Sequence, residues 1–307
     1  MRLTFSSKPH LLRAIRIAVP IVTLVVVLMV VDVRDIVQTL RATRLWPLLM
    51  AGIMAQVVIL ASATRWSHTT RQLGHPVPLR VAVREYYVSS FLNATLPGGI
   101  SGDALRVWRN RDNGGPGISV RGVMIERLAG QVALALCLLI GILTGGIGHA
   151  TLVALVFIAA LSVLLIALLV GGRLAGKIGI ALSTFGPALK QAWVADGAWR
   201  VQAPLNLIVI TALIGCFALC TRAIGTQMDV TAVLVLVPVC LAAMIIPTGI
   251  GGLGLREGAA AALWPLAGFS AEAGVAAALL FGVVNLLSAL PGALFLLHPH
   301  VRTDHNR

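Results

Sequence analysis

Arginine and acidic side chains stand at two glycine-rich interruptions of otherwise apolar sequence in this 307-residue chain. The first reads LPGGISGDALR, Leu96 to Arg106; the second reads IPTGIGGLGLR, Ile246 to Arg256, an offset of 150 from position 96 to position 246. Aligned, they share Pro97/Pro247, Gly99/Gly249, Ile100/Ile250, Gly102/Gly252, Leu105/Leu255 and Arg106/Arg256. Proline removes a backbone donor and clustered glycines stop a regular helix, so each stretch predicts a helix that breaks and restarts. A restarting helix turns its first N–H groups and the positive end of its dipole toward the gap, a place suited to an anion. The restarts fall near Gly102 and Asp103, with Arg106 one turn on, and near Gly254, with Arg256 and Glu257 in the opening turn. A guanidinium can hold phosphate through two parallel hydrogen bonds.

Structural roles compete with this reading at every position. Asp103 can cap a helix, Arg106 can reach the cytoplasmic interface, Arg256 can pair with Glu257 or Asp103, and Glu126 can pair with Arg127 near a helix end. Repetition of the arginine in both motifs favours a binding role for Arg106 and Arg256. Other formal matches fail on context. Gly249, Gly251 and Gly254 spell a dinucleotide fingerprint without a βαβ unit around them, so no cofactor is expected. Asn93-Ala94-Thr95 spells a glycosylation acceptor in a segment expected to enter from the cytoplasm. Gly98/Gly102 and Gly254/Gly258 have the spacing of close helix packing. His298, His300 and His305 lie in a polar tail, and Cys137, Cys216, Cys220 and Cys240 lie in apolar runs, so neither a metal site nor a disulfide framework is expected. No Ser/His/Asp set, carboxylate cluster or nucleotide loop is present in the sequence, which argues against an enzyme and leaves an ion gradient or mass action as the energy source.

The chain that positions these residues is 58% hydrophobic and 11% charged, with a mean hydropathy of +0.93. That composition predicts an all-α polytopic membrane protein. Six apolar runs approach the roughly 20 residues that a membrane-crossing helix needs: 17–31, 45–64, 128–148, 150–172, 201–221 and 273–297. The net charge of +13 is read as topological, not as a nucleic-acid footprint, because lysine and arginine flank the predicted spans. A basic start before position 17 and a basic tail place both termini in the cytoplasm. The basic residues then lie on the cytoplasmic side apart from Arg34, Arg41, Arg44 and Arg222, with Arg256 embedded.

On this topology the first broken motif enters from the cytoplasm and returns, and the second enters from the opposite face. The chain reads as one membrane domain, 1–307, in which a first repeat at about 45–143 and a second at about 204–297 are joined by a cytoplasmic linker at about 171–203. Each repeat is helix, re-entrant hairpin, helix, in inverted orientation, so about six full spans are joined by two hairpins. Paired interruptions in two inverted halves are the mark of a transport site.

The stretches SSFLNATLPGGISGDALR (Ser89 to Arg106), ERLAG (Glu126 to Gly130) and IPTGIGGLGLREG (Ile246 to Gly258), with the Asn285 helix, resemble the flippase-like membrane region of bacterial lysylphosphatidylglycerol synthases, over nearly the whole chain. The resemblance implies handling of phospholipid or polyprenyl-linked head groups between leaflets, and it directs attention to Asn93, Pro97, Gly98, Asp103, Arg106, Glu126, Arg127, Arg256 and Glu257. The bifunctional members carry a large aminoacyltransferase domain, whereas this sequence stops ten residues after Leu297, so synthesis of a lysyl lipid by this polypeptide is not expected. The leading expectation is a lipid transporter with a phosphate-bearing head group as its partner. The alternatives are a membrane-embedded lipid transferase, or the membrane half of one with a separate cytoplasmic enzyme, and a scaffold that only anchors lipids in basic pockets.

Overall fold

A computed structural model of the chain describes residues 33–96, 99–111, 115–145, 148–170, 176–245 and 251–297. Among the described residues the regular structure is helical. Apolar sequence in a hydrocarbon environment must satisfy its backbone within each segment, and a helix does so. The elements are α1 (Val33–Arg41), α2 (Leu45–Gln72), α3 (Leu79–Thr95), α4 (Ser101–Arg109), α5 (Pro116–Leu143), α6 (Gly148–Val170), α7 (Gly176–Trp193), α8 (Trp199–Ala223), α9 (Val230–Ala243), α10 (Leu255–Leu263), α11 (Ala271–Ala289) and α12 (Pro291–Leu297). Five stretches among them are long and apolar enough to cross a membrane: Leu45–Gln72, Gly117–Leu143, Thr151–Leu168, Trp199–Ala223 and Ala271–Leu297. They correspond to five of the six predicted runs. The sixth, 17–31, lies outside the described residues, as do Pro97, Gly98, Pro247 and Gly249 of the two motifs.

The most extensive helix pair is α2 with α8. Its cause is legible in both sequences. Ala51, Ala55, Ile59 and Ala63 recur every four residues along α2, and Ala212, Cys216 and Cys220 do the same along α8, all buried. Small side chains at that spacing form a flat stripe on which two backbones approach closely, the packing that replaces a hydrophobic drive between helices in lipid. Around this pair the remaining helices exchange partners. The chain reverses between α3 and α4, which pack together, and α9 and α10 pack likewise. Helix α5 follows the first pair and packs on α9, while α11 follows the second and packs on α3. Helices α6 and α7 form a side layer held by Ile125, Leu161, Phe185 and Leu189, and α1 lies across α11 with Ile36 against Val275 and Ala276.

Several boundaries differ from the sequence expectation. Helix α2 continues past the end of the apolar run at position 64 to Gln72, so Arg65 is buried within the helix. Helix α8 begins at Trp199, five residues before Pro204, which sits in its second turn. The segment expected as a linker at about 171–203 contains the 18-residue helix α7, Gly176–Trp193. Pro238, a helix breaker by type, lies inside α9. The common reason is that packing compensates a single charged or helix-breaking residue, which hydropathy counts as a boundary.

Gly102 sets the spacing of the α3–α4 pair. A Cβ there would fall inside the van der Waals envelope of the Ser89 carbonyl and Cα. Overpacking against backbone costs about 1–3 kcal/mol because backbone cannot swing aside. Gly102→Ala is therefore expected to lower the melting temperature of the detergent-solubilised protein by several degrees, whereas Gly52→Ala on α2, where a Cβ meets nothing within 4 Å, leaves it unchanged or raises it. Equal effects of the two substitutions would contradict this packing.

Candidate functional site

The site grows from the last turn of α3. Asn93 Oδ1 accepts the Gly102 backbone N–H at 2.8 Å, and its Nδ2 donates to Asp103 Oδ2 at 3.5 Å. Ser89 Oγ, one turn earlier, donates to Asp103 Oδ1 at 3.0 Å. The restarting helix α4 is thus capped by a side chain across the hairpin, not by its own N-cap residue Ile100. Asp103 next receives two arginines: Arg106 Nη2 at 2.9 Å and Arg127 of α5, whose Nε lies at 2.7 Å. Arg127 Nη2 also donates to the Gly99 carbonyl at 3.2 Å.

Arg106 is the most enclosed of these groups. Its guanidinium carbon stands 4.7 Å from the ring centre of Trp66 and 4.8 Å from that of Tyr86, and Glu126 Oε2 lies 3.0 Å from its Nη2. Glu126 Oε1 faces Arg65 Nη2 at 3.3 Å and accepts the Tyr86 hydroxyl. Arg65 Nη1 reaches Asn206 Oδ1 on α8 at 2.5 Å. Desolvated cation–π contacts are worth about 2 kcal/mol. They help to offset the burial of a guanidinium that also holds two carboxylates. In this cluster Arg65, Arg106 and Arg127 face Asp103 and Glu126, which leaves one positive charge in excess.

The second hairpin is simpler and locally neutral. Glu257 Oε2 accepts the Gly254 N–H at 2.7 Å, which satisfies a free amide at the start of α10 from within its own first turn. Its Oε1 accepts Arg256 Nη2 at 2.5 Å and Nε at 3.1 Å. Arg256 also lies 5.3 Å from the centre of the Phe281 ring. The two tips meet: Gly251, at φ 59°, leaves so little room that a Cβ would stand 3.1 Å from the Ala94 carbonyl oxygen. A side chain there would be strained by both space and backbone conformation.

A cavity of about 480 Å³ opens between the tips. Of the predicted site residues, it is lined by Asn93, Gly99, Arg127, Gly252 and Arg256. Gly102, Asp103, Arg106, Glu126, Gly254 and Glu257 stand behind that wall, organising it. The Gly102 and Gly254 amides, expected to face an anion, are both engaged by the protein's own side chains. The cations of the cavity are instead Arg65, Arg127 and Arg256, and among the described residues no carboxylate lines it. Ile210, Leu213, Met244, Leu279 and Leu286 line the same cavity with apolar side chains. Arg65, Tyr86, Asn206 and Gln131 are participants that the sequence reading missed. The available signal was Arg65-Trp66 at the end of a long apolar run, a charge that belongs inside the helix if the helix is allowed to continue.

Glu126 is the anion shared by Arg65 and Arg106, and removing one partner from a buried ion pair costs on the order of 3–5 kcal/mol. Glu126→Gln is expected to lower the thermal unfolding midpoint in detergent by more than ten degrees or to prevent accumulation of folded protein. A midpoint within a degree or two of the parent would show that these charges are not carried as a buried network.

Residues 14–292 match the family model described as the lysylphosphatidylglycerol synthase TM region. No curated protein matches the chain.

Proposed function

The chain therefore belongs to the lysylphosphatidylglycerol synthase TM region family, and on that premise we propose that it is a lipid carrier, moving a phospholipid or polyprenyl-phosphate-linked amphiphile between the leaflets of the bacterial inner membrane. The family points to a membrane lipid-related function. The observation that carries the transport reading is the cavity between the two hairpin tips, lined among the described residues by three arginines, no carboxylate and many apolar side chains. A polar head and an oily tail find matching surfaces in one space. Intramembrane charges are rare and expensive, and a cluster of them at such a cavity is a binding site by default.

In this reading α3 with α4, and α9 with α10, are re-entrant hairpins entering from opposite faces, and the two halves form an inverted repeat. Support comes from the shared spelling at offset 150, the α2–α8 pair, and the exchange in which each half's last helix packs on the other half's hairpin. Rocking of one half against the other would expose the cavity alternately to each side. Basic flanks favour cytoplasmic termini. The protein acts as a carrier without covalent chemistry, and a separate cytoplasmic lipid-modifying enzyme supplies or uses the lipid.

Arg127 is the arginine of the site with the most exposed side chain, at 45%. A hydrogen bond to a charged group contributes about 1.5–3 kcal/mol, so Arg127→Ala is expected to slow redistribution of a phosphate-bearing, fluorescently labelled lipid in proteoliposomes by about ten- to a hundredfold. Equal rates for parent, variant and protein-free vesicles would overturn the transport reading. Saturable binding without transbilayer movement would select a lipid-binding scaffold in its place, and turnover of the lipid by the pure protein would select a transferase.

A further inference from the structure

A second, separate cavity of about 20 Å³ lies where the end of α2, the α2–α3 connection, the end of α4 and the start of α5 meet. Arg106, which does not line the larger cavity, lines this one. Its side chain is 2% exposed, and its Nη2 serves both Asp103 and Glu126. Its Nε and Nη1 are also buried and have no hydrogen-bond acceptor. The hydroxyls and the amide on the same wall are spent on the backbone. Thr70 Oγ1 donates to the Ser67 carbonyl and accepts the Val77 N–H, Ser119 Oγ donates to the Asn110 carbonyl, and Asn110 Nδ2 donates to the Arg106 carbonyl. His75, half-buried, adds a ring N–H in either neutral tautomer. Among the described residues no carboxylate lines this cavity, and Trp66, Val77, Ile118 and Val123 make the rest of its wall apolar.

Two needs coincide at this point. Buried donors without an acceptor are rare in folded proteins, and the surrounding cluster of Arg65, Arg106 and Arg127 with Asp103 and Glu126 carries one cation in excess. A water molecule answers only the first need, and it seeks two to four polar partners where the hydroxyl protons are already committed. A monatomic anion answers both, because it accepts from every donor around it, has no proton of its own to place and brings the missing charge. The space sets the size of the ion. A cavity must offer about 10–15 Å³ to hold one water, so this one admits a single particle of that order and shuts out phosphate, sulfate and carboxylates.

We propose that this cavity is a binding site for one halide ion, chloride under cellular conditions, held by an N–H of Arg106 that the carboxylates leave free. The site lies outside the cavity of the lipid-carrier reading and does not depend on it. The ion neutralises the buried cluster and ties the α2–α3 connection to α4 and α5.

The test follows the melting temperature of the purified 307-residue chain in neutral detergent, at constant ionic strength, as sodium gluconate is exchanged for sodium chloride or bromide. A ligand that binds only the folded state raises the midpoint in step with its occupancy. Chloride and bromide should each raise it by several degrees with half of the effect reached at millimolar halide, whereas gluconate is too large to enter. Val123→Leu adds one carbon to the wall of the cavity and touches none of its hydrogen bonds, so it should fold and lose the halide response. Crystals grown in bromide should show an anomalous peak within hydrogen-bond distance of the Arg106 guanidinium. No halide-dependent shift in the parent, an equal shift in Val123→Leu, or a water in place of the bromide peak overturns the proposal. Should Val123→Leu not fold, the bromide peak decides alone, its presence supporting the site and its absence overturning it.

Discussion

The guanidinium of Arg106, closed between the rings of Trp66 and Tyr86 and bound to Asp103 and Glu126, is the contact on which the first half of the molecule depends. Through it α2, α3, α4 and α5 converge on one planar cation. The geometry suits arginine specifically: a flat delocalised charge lies against aromatic rings while its edge donates to carboxylates in a fixed fork, a geometry a lysine ammonium lacks. Burial of such a charge is tolerable only when each partner is itself fixed. Ser89, Asn93 and Arg127 fix Asp103, and Arg65 and Tyr86 fix Glu126. The network is therefore cooperative, and its order propagates to the cavity through Arg65 and Arg127.

The two hairpins solve the same local problem with different chemistry. Each has a helix whose first amides are taken up by a side chain of the protein. The first uses the amide of Asn93 from the opposite arm; the second uses Glu257 from its own first turn. The consequence is electrostatic. A neutral cap leaves the first hairpin's acid, Asp103, free to gather arginines, and that cluster ends with a surplus cation. A charged cap consumes Glu257 and balances Arg256 locally. Two motifs of similar spelling thus become a charged half and a neutral half of one cavity.

The apolar runs, the glycine interruptions and the arginine shared by both motifs were legible in the sequence because they follow from short-range rules: helix length against hydrocarbon thickness and proline or glycine against helix continuity. Five of the six expected runs have counterparts among the described helices. Helix ends were less legible. The apolar run 45–64 stops before Arg65 because hydropathy treats charge as a boundary, yet Glu126 and Asn206, at sequence separations of 61 and 141, hold Arg65 within α2.

The sequence by itself determined that the chain is a helical membrane protein with two glycine-broken arginine motifs, since composition and local backbone chemistry suffice for that. Tertiary structure alone decided which arginines face the cavity. Arg106 and Arg127 share Asp103, but the aromatic rings that enclose the first and the open side that leaves the second accessible come from α2, α3 and α5 together. A carboxylate's reach is a few ångströms in space, and nothing in the linear order of residues records which cation it will meet.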